Sequence, residues 1–249
     1  MPVIEVCVDS VQSALASQEG GADRVELCDN LFEGGTTPSA GAIAITRERL
    51  HIKLHVIIRP RGGDFLYSDD EFAVMQRDIE TAKSLGADGV VIGLLTADGD
   101  VDVPRTRQLV ELARPMSVTF HRAFDVAREP FKVLETLIDL GIDRVLTSGQ
   151  EESVTEGAEL IAELIVKAGN RIIVMPGAGF NQRNVARVVA KTGAREIHVA
   201  GFARVESGMR YRNERAFMGG ELRTPEYSRA VTDAGIVRNM RRNCDDSGS

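Results

Sequence analysis

The chain has 249 residues, about the size of one (β/α)8 barrel, and its 43% hydrophobic content is ordinary for a globular protein. Its 30 basic and 37 acidic residues give a net charge of −7, which argues against nucleic acid and anionic membranes as partners. The sequence contains no apolar run approaching the roughly 20 residues that span a bilayer. The first ten residues lack the basic start and apolar stretch of a secretory signal peptide, so none is expected.

Short β-rich segments alternate along the chain with longer segments that have the apolar spacing of helices. In one longer segment Phe72, Met75, Ile79 and Ala82 recur at intervals of three and four residues. The strands are predicted at Val3–Val8, Arg24–Cys28, Lys53–Arg59, Gly89–Leu94, Ser117–His121, Arg144–Thr147, Arg171–Met175 and Glu196–Ala200. Seven helices separate them and an eighth is predicted at Glu226–Met240, so the α/β pattern indicates a closed TIM (β/α)8 barrel.

Recurring turn signals support a closed barrel of a single domain. Gly-Ala-Asp occurs at 21–23 and 86–88, where it ends a helix with glycine and begins a strand. The alternative is an open doubly wound sheet, but no Gly-x-Gly-x-x-Gly follows the first strand. We predict the barrel over residues 1–243 and a disordered polar tail over 244–249. The long segment Gly201–Pro225 is expected to be functional, because it is irregular and contains Met209–Asn213.

Ionisable residues recur near the C-terminal ends of the strands, where barrels carry their catalytic groups. Glu5 and Glu26 lie on the first two strands, His121 ends the fifth and His198 lies on the eighth. A carboxylate beside an imidazole supplies general acid–base chemistry, so these four are candidate catalytic residues. The alternative is a buried ion network that only closes the barrel. The sequence contains no Gly-x-Ser-x-Gly or His-Glu-x-x-His motif that would fix a reaction type.

Three strand-end segments predict a site for a small anionic or phosphorylated ligand. In Arg59–Asp64 two guanidinium groups flank a proline and can grip an anion, although a loop salt bridge is the alternative. In Met175–Phe180 glycines precede a helix and expose backbone N–H groups, as in the phosphate sites of many barrels. The segment Ser148–Gln150 follows strand six beside them. The predicted anion-binding residues are Arg59, Arg61, Ser148, Gly149, Gly177 and Gly179.

Two of the three cysteines have matching places on adjacent predicted strands. Cys7 and Cys28 each follow a glutamate by two residues, and neighbouring strands lie about 4.8 Å apart. Two thiolates suit a soft ion such as Cu(I), and also zinc. The alternative is two small buried core residues. Cys244 lies in the predicted tail. Three cysteines do not form a disulfide framework, so a reducing compartment is expected, the cytoplasm first and the nucleus as a second option.

At this point the motifs closely resemble the CutC copper-homeostasis family over essentially the whole chain. The matching segments are Arg24–Cys28, Glu33–Ser39, Ile58–Phe65, Val118–Asp125, Val145–Gly149, Pro176–Gly179 and Met209–Asn213. Several of them are six to eight residues long, so a chance resemblance is excluded. The two matched cysteines and the segment Leu66–Asp69 make the chain similar to the animal members.

The resemblance implies a (β/α)8 barrel, which agrees with the pattern of predicted elements. It further implies a role in copper homeostasis, with Cu(I) bound by Cys7 and Cys28 in the cytoplasm, and a homo-oligomer. It implies no particular catalytic activity. The second hypothesis is therefore kept open: a barrel enzyme on a small anionic or phosphorylated substrate. Arg59, Arg61 and the Gly177–Gly179 loop would hold the anion, and Glu26 and His121 would transfer the proton. The third hypothesis is an oligomeric scaffold with a vestigial pocket.

Overall fold

The structure is a computed structural model that describes residues 1–216 and 227–246. Eight parallel strands are β1 (Val3–Val8), β2 (Arg24–Leu27), β3 (Lys53–Ile57), β4 (Gly89–Ile92), β5 (Ser117–Phe120), β6 (Arg144–Thr147), β7 (Ile173–Pro176) and β8 (Glu196–Val199). The helices that follow the first seven are α1 (Val11–Glu19), α2 (Ala40–Arg49), α3 (Asp69–Ser84), α4 (Val103–Ala113), α5 (Pro130–Asp139), α6 (Ala158–Ala168) and α7 (Val185–Thr192). After β8 come an antiparallel pair, β9 (Phe202–Glu206) and β10 (Ser228–Thr232), and then α8 (Ala234–Asp246).

The eight parallel strands close into a ring. Their order is β7-β6-β5-β4-β3-β2-β1-β8, so sequence neighbours pair and β1 pairs with β8. Gly177, directly after β7, forms a parallel bridge with His198 of β8 and joins the two ends of the sheet. An open doubly wound sheet would reverse its strand order at one point. The predicted single-domain (β/α)8 barrel is confirmed.

Local sequence sets where the helices begin and end, as α3 illustrates. The Ser68 hydroxyl accepts a hydrogen bond from the Glu71 backbone N–H, and the Glu71 carboxylate accepts one from the Ser68 N–H, which forms a capping box. Met75 and Ile79 then bury the apolar face of the helix against the barrel. Gly86 follows at φ +82°, a left-handed conformation that favours glycine. The recurring glycines therefore end helices, as the sequence predicts.

The main apolar core lies between the outer surface of the strands and the helices. Outward-pointing strand side chains such as Val6, Val25 and Val56 are fully buried there. Because this outer layer supplies the hydrophobic core, the inward-pointing positions of the barrel can carry polar side chains. No helix within the described ranges combines the length and the apolar character needed to cross a membrane.

The last part of the chain differs from the predicted elements. Ser228–Thr232 pairs as β10 with β9, and Val231 and Thr232 are buried, so the final helix starts at Ala234 and not at 226. The helix continues to Asp246, three residues past the expected end of the domain at 243. Cys244 in this extension packs into the core. In the predicted functional loop, residues 217–225 lie outside the described part of the chain, as do 247–249.

Candidate functional site

Side chains that point into the barrel form layers across its axis. Pairing places Glu5 beside Arg24 and His198, and Cys7 beside Glu26. Because barrel strands are tilted, each layer takes its side chains from alternate strands. Counted from the N-terminal ends of the strands, the first layer consists of Arg24, Gly89, Arg144 and Glu196, and the second of Glu5, His55, Thr119 and Met175. The third layer consists of Glu26, Val91, Leu146 and His198, and the fourth of Cys7, Ile57, His121 and Gly177. The interior is therefore charged below and carries thiol and imidazole groups above.

The charged layers form a buried ion network. Glu196 accepts hydrogen bonds of 2.6 Å from Arg24 Nη2 and from Arg144 Nε, and Glu5 accepts one from Arg24 Nε. Burial opposes the ionisation of Glu5, but the charges of Arg24 and His198 outweigh it and hold the pKa of Glu5 well below its ordinary value. Since buried charges are costly unless they are paired, these residues close the lower barrel. The ion-network interpretation therefore describes Glu5 better than a catalytic role.

Glu5 also orients His198. His198 Nδ1 donates a 2.7 Å hydrogen bond to Glu5 Oε1, since an ionised carboxylate can only accept. The other ring nitrogen, Nε2, then lies 3.7 Å from Oε2 of Glu26. Burial disfavours the imidazolium, but hydrogen bonds to Cys7 and Glu5 outweigh that penalty and raise the pKa of His198 well above its ordinary value.

The two strand cysteines approach each other closely. Cys7 Sγ lies 3.8 Å from Cys28 Sγ, although Cys7 pairs in register with Glu26 and Cys28 comes two residues later, directly after the end of β2. A hydrogen bond with Cys28 lowers the pKa of Cys7 to about 6, with a further contribution from His198, while the same bond and burial raise the pKa of Cys28. These shifts make Cys7 the thiolate of the pair at neutral pH and Cys28 the thiol that donates its proton to the contact.

Cys7 belongs to a second group of donor atoms as well. Its sulfur, a carboxylate oxygen of Glu26 and a ring nitrogen of His198 all lie within 4.8 Å of one another. Burial and the nearby Cys7 thiolate raise the pKa of Glu26 to about 8. The structure thus brings Cys7, Cys28, Glu26 and His198 together at the upper end of the barrel.

A cavity of about 280 Å³ opens above these residues. Cys7, Glu26 and His198 lie on its wall together with His121, while Phe65, Ile57 and Leu146 supply apolar surface. Such a volume exceeds that of one ion and equals roughly nine water molecules at about 30 Å³ each. The cavity is large enough for a small organic ligand.

His121 lies on the wall of this cavity and carries a buried ring N–H. Its Nδ1 accepts a 3.1 Å hydrogen bond from the Ala123 backbone N–H, so the proton of the neutral ring sits on Nε2. Burial and the charge of Arg59 lower the pKa of His121 to about 3 and keep the ring neutral. Nε2 is buried and has no hydrogen-bond partner among the described residues. The ring packs on Gly93, where any side chain would collide with it.

Arg59 lies on the same wall and is held by backbone carbonyls. Its terminal nitrogens donate to the carbonyl oxygens of Glu33, Gly35 and Gly63 at 2.7–2.8 Å. Its Nε is buried without a partner in the described ranges, and its guanidinium lies 5.2 Å from the Phe65 ring centroid. The structure gives Arg59 no carboxylate ion pair among these residues, so backbone carbonyls rather than a counter-charge hold its guanidinium beside the cavity.

Arg61 does not lie beside Arg59 in a position to bind the same anion. Its Nε donates to Glu71 at 2.5 Å and its Nη2 to Asp64 at 3.0 Å, and its guanidinium stacks 5.2 Å from the Tyr67 ring centroid. Arg61 is not among the residues that line the cavity. The structure therefore does not bring Arg61 to the cavity beside Arg59, and the segment forms the loop salt bridge that the sequence also allowed.

The residues that follow strand six do not reach the cavity either. The Ser148 hydroxyl and backbone N–H both donate to Asp125 at 3.0 Å, and the Gly149 N–H donates to the Thr147 hydroxyl. These groups are used within the loop, and neither residue lines the cavity. Asp125, which sequence reasoning did not single out as a site residue, does line it, and the motif Val118–Asp125 was the available signal.

The glycines after β7 serve packing and closure. The Gly177 N–H donates to the Thr147 carbonyl, and a side chain at Gly177 would meet Leu146 and His198. A side chain at Gly179 would meet Ser153. Neither glycine lines the cavity. Of the six predicted anion-binding residues, only Arg59 does.

Sequence comparison shows the family to which this chain belongs. The family model described as the CutC family matches residues 2–203. A CutC family protein from Chromobacterium violaceum is 57% identical over 98% of both chains. The human copper homeostasis protein cutC homolog is 50% identical over 96% of this chain and 87% of its own. The chain belongs to the CutC family.

A solved structure agrees with this assignment. The crystal structure of the CutC protein from Streptococcus agalactiae superposes with a TM-score of 0.77 at 36% identity, covering 80% of this chain and 98% of that one. The resemblance to animal members is confirmed at 50% identity, and bacterial members share it to a similar or greater degree.

Proposed function

We propose that this protein acts in copper homeostasis by binding Cu(I) as a cargo ion through the thiolates of Cys7 and Cys28. The observation that carries the proposal is the 3.8 Å separation of the two sulfurs. Two metal–sulfur bonds of about 2.3 Å span up to about 4.6 Å, so one ion can bridge both atoms. Thiolates are the side chains that soft Cu(I) prefers.

The state and position of the thiols support this proposal. A separation of 3.8 Å is far longer than the ~2.05 Å of a disulfide, so the pair is reduced, as in the cytoplasm where we place the protein. Cys7 lines the cavity and its pKa is lowered to about 6, which makes a reachable thiolate available at neutral pH. The copper homeostasis name of the human relative supports copper as the ion.

The test is an anaerobic Cu(I) titration against a competing chromophoric chelator. We expect wild type to bind one Cu(I) per chain, and Cys7→Ser, Cys28→Ser and the double variant to lose at least 100-fold in affinity. Cys244→Ser is the matched control, because that cysteine packs into the core beside α8 and away from the pair. Equal Cu(I) affinity in wild type and the double variant would sink the proposal.

A second candidate function is the binding of a small organic anion in the cavity. The observation that favours it is a buried donor, His121 Nε2, that lacks a partner within the described residues, on a cavity wall that also carries the Arg59 guanidinium. An unpaired buried polar group costs about 1–3 kcal/mol, and an acceptor ligand would recover that loss. Glu26 lies on the same wall as the candidate proton-transfer partner of His121, so a barrel enzyme remains the form this function would take.

A thermal-shift screen of small phosphates and carboxylates tests this second function. We expect at least one compound to stabilise wild type and to lose its effect in His121→Gln and Arg59→Met. Arg61→Ala is the matched control, because its guanidinium pairs with Glu71 and Asp64 outside the cavity. A compound that stabilises all four proteins equally binds elsewhere and contradicts this candidate, as does a screen without any stabilising compound.

The homo-oligomer that the family resemblance implies stays a prediction. Light scattering on the purified chain measures its mass against the 27.1 kDa of one copy. A mass of one copy over the micromolar range would contradict it.

A further inference from the structure

Three different donor types meet at one point of the upper barrel. Cys7 on β1, Glu26 on β2 and His198 on β8 supply a sulfur, an oxygen and a nitrogen within 4.8 Å of one another. Glu26 is buried and the other two are half-buried. This set shares Cys7 with the thiol pair and is otherwise made of different residues.

The histidine of this set has the outer partner typical of a metal ligand. Metal-binding histidines donate their second ring N–H to a carboxylate, which fixes the tautomer and the ring orientation. His198 Nδ1 donates to Glu5 at 2.7 Å, and Glu5 is itself held by Arg24. Nε2 is thereby directed to the side where Glu26 lies, at 3.7 Å.

The remaining side of the set is open. Cys7, Glu26 and His198 all line the 280 Å³ cavity, and the buried, unpartnered Nε2 of His121 lies on the same wall. Catalytic zinc sites have three protein ligands of the Cys, His and carboxylate types and leave the fourth position to water or substrate. Structural zinc sites are closed by four protein ligands instead.

We infer that Cys7, Glu26 and His198 bind a divalent ion of borderline softness, such as Zn(II), with its fourth position open to the cavity. A mixed sulfur, nitrogen and oxygen set suits Zn(II) better than the hard ions Mg(II) and Ca(II), which prefer oxygen alone. The bound ion would polarise the water or ligand atom that faces His121. This site does not depend on Cu(I) binding, although the two ions compete for Cys7.

The test is a titration with Zn(II) and, separately, with Co(II), whose thiolate charge-transfer and visible bands report sulfur ligation and four-coordination. Wild type is compared with His198→Gln, Glu26→Gln, Cys7→Ser and Cys28→Ser, with exposed His51→Gln as the matched control. Circular dichroism confirms that each variant is folded. Loss of an outer partner alone costs about 10–100-fold in metal affinity, so loss of a ligand should cost more than about 100-fold.

The pattern across variants distinguishes this site from the thiol pair. We expect His198→Gln and Glu26→Gln to lose Zn(II) and keep Cu(I), Cys28→Ser to lose Cu(I) and keep Zn(II), and Cys7→Ser to lose both. Loss of Zn(II) in Cys28→Ser, or its retention in His198→Gln, would overturn the inference and leave the Cu(I) proposal standing. A wild-type protein that binds neither Zn(II) nor Co(II) would overturn it as well.

Discussion

His198 Nδ1 donates a 2.7 Å hydrogen bond to Glu5 Oε1, and this bond joins the charged lower layers of the barrel to the donor groups above them. Glu5 is fixed from below by Arg24, which also contacts Glu196. The position of the His198 ring is therefore set by the ion network, and the network that closes the barrel also orients the functional site.

Replacing His198 tests whether its hydrogen bond to Glu5 links the ion network to the site above it. Hydrogen bonds to charged groups contribute about 1.5–3 kcal/mol, so His198→Gln should lower the free energy of unfolding by about that amount in metal-free protein. Urea denaturation at neutral pH measures the loss, and exposed His51→Gln should stay within about 0.5 kcal/mol of wild type. Equal stability of wild type and His198→Gln would contradict a role for this bond in holding the site.

His121 makes a separate prediction about acid stability. Its folded-state pKa is lowered to about 3, below its ordinary value of 6.5, because burial and Arg59 disfavour the charged ring. Between pH 6.5 and 3 His121 is protonated in the unfolded chain and neutral in the folded chain. The free energy of unfolding therefore decreases as the pH falls from 6.5 toward 3. One proton corresponds to about 1.4 kcal/mol per pH unit.

The variant His121→Gln should lose the contribution of His121 to the pH dependence of the unfolding free energy. Between pH 6.5 and 4.5 its unfolding free energy should fall less steeply than that of wild type by about 1.4 kcal/mol per pH unit. His55, whose pKa burial lowers to about 4, should give a second, additive effect in His55→Gln. Parallel pH profiles for wild type and His121→Gln would show that the ring is not held neutral.

The sequence is informative about the fold because each element carries its own signal. Alternating strands and helices, caps such as Ser68 and turn glycines such as Gly86 act locally, so eight strands and a closed barrel follow from the pattern. The helix predicted over 226–240 was wrong at its start because pairing between β9 and β10 is non-local. Residue periodicity carries little information about a pairing partner that lies more than 20 residues away.

The site could be predicted only in part, for a related reason. Inward position is a local property, so Cys7, Glu26, His121 and His198 were recognised as facing one space. Which partner each polar group finds depends on loops: Arg61 was assigned to an anion but is satisfied by Glu71. Charge type alone did not distinguish a guanidinium with a carboxylate partner from one without.

Arg24 should be essential to the lower barrel. It pairs with Glu5 and Glu196, and all three side chains are buried, so Arg24→Met leaves Glu5 without its arginine partner and Glu196 with Arg144 alone. Breaking a buried ion pair in this way costs about 3–5 kcal/mol. Urea denaturation measures this loss. The exposed pair between Arg171 and Glu135 is the control, and Arg171→Met should cost far less. Similar losses in both variants would contradict the importance of burial.

Gly93 controls the position of His121, because a methyl group there would overlap the imidazole ring and also approach Ala123. Gly93→Ala should therefore cost about 1–3 kcal/mol as the ring is displaced, and it should weaken any cavity ligand that depends on Nε2 of His121. The matched control is Gly208→Ala, where an added methyl group meets no atom of the described residues within 4 Å, so its stability should stay within about 0.5 kcal/mol of wild type. Thermal unfolding measures this loss of stability.

A histidine NMR spectrum measures the displacement of the ring, since the Nε2 signal of His121 should shift in Gly93→Ala and stay in place in Gly208→Ala. An unshifted signal in Gly93→Ala would show that this glycine does not set the ring position.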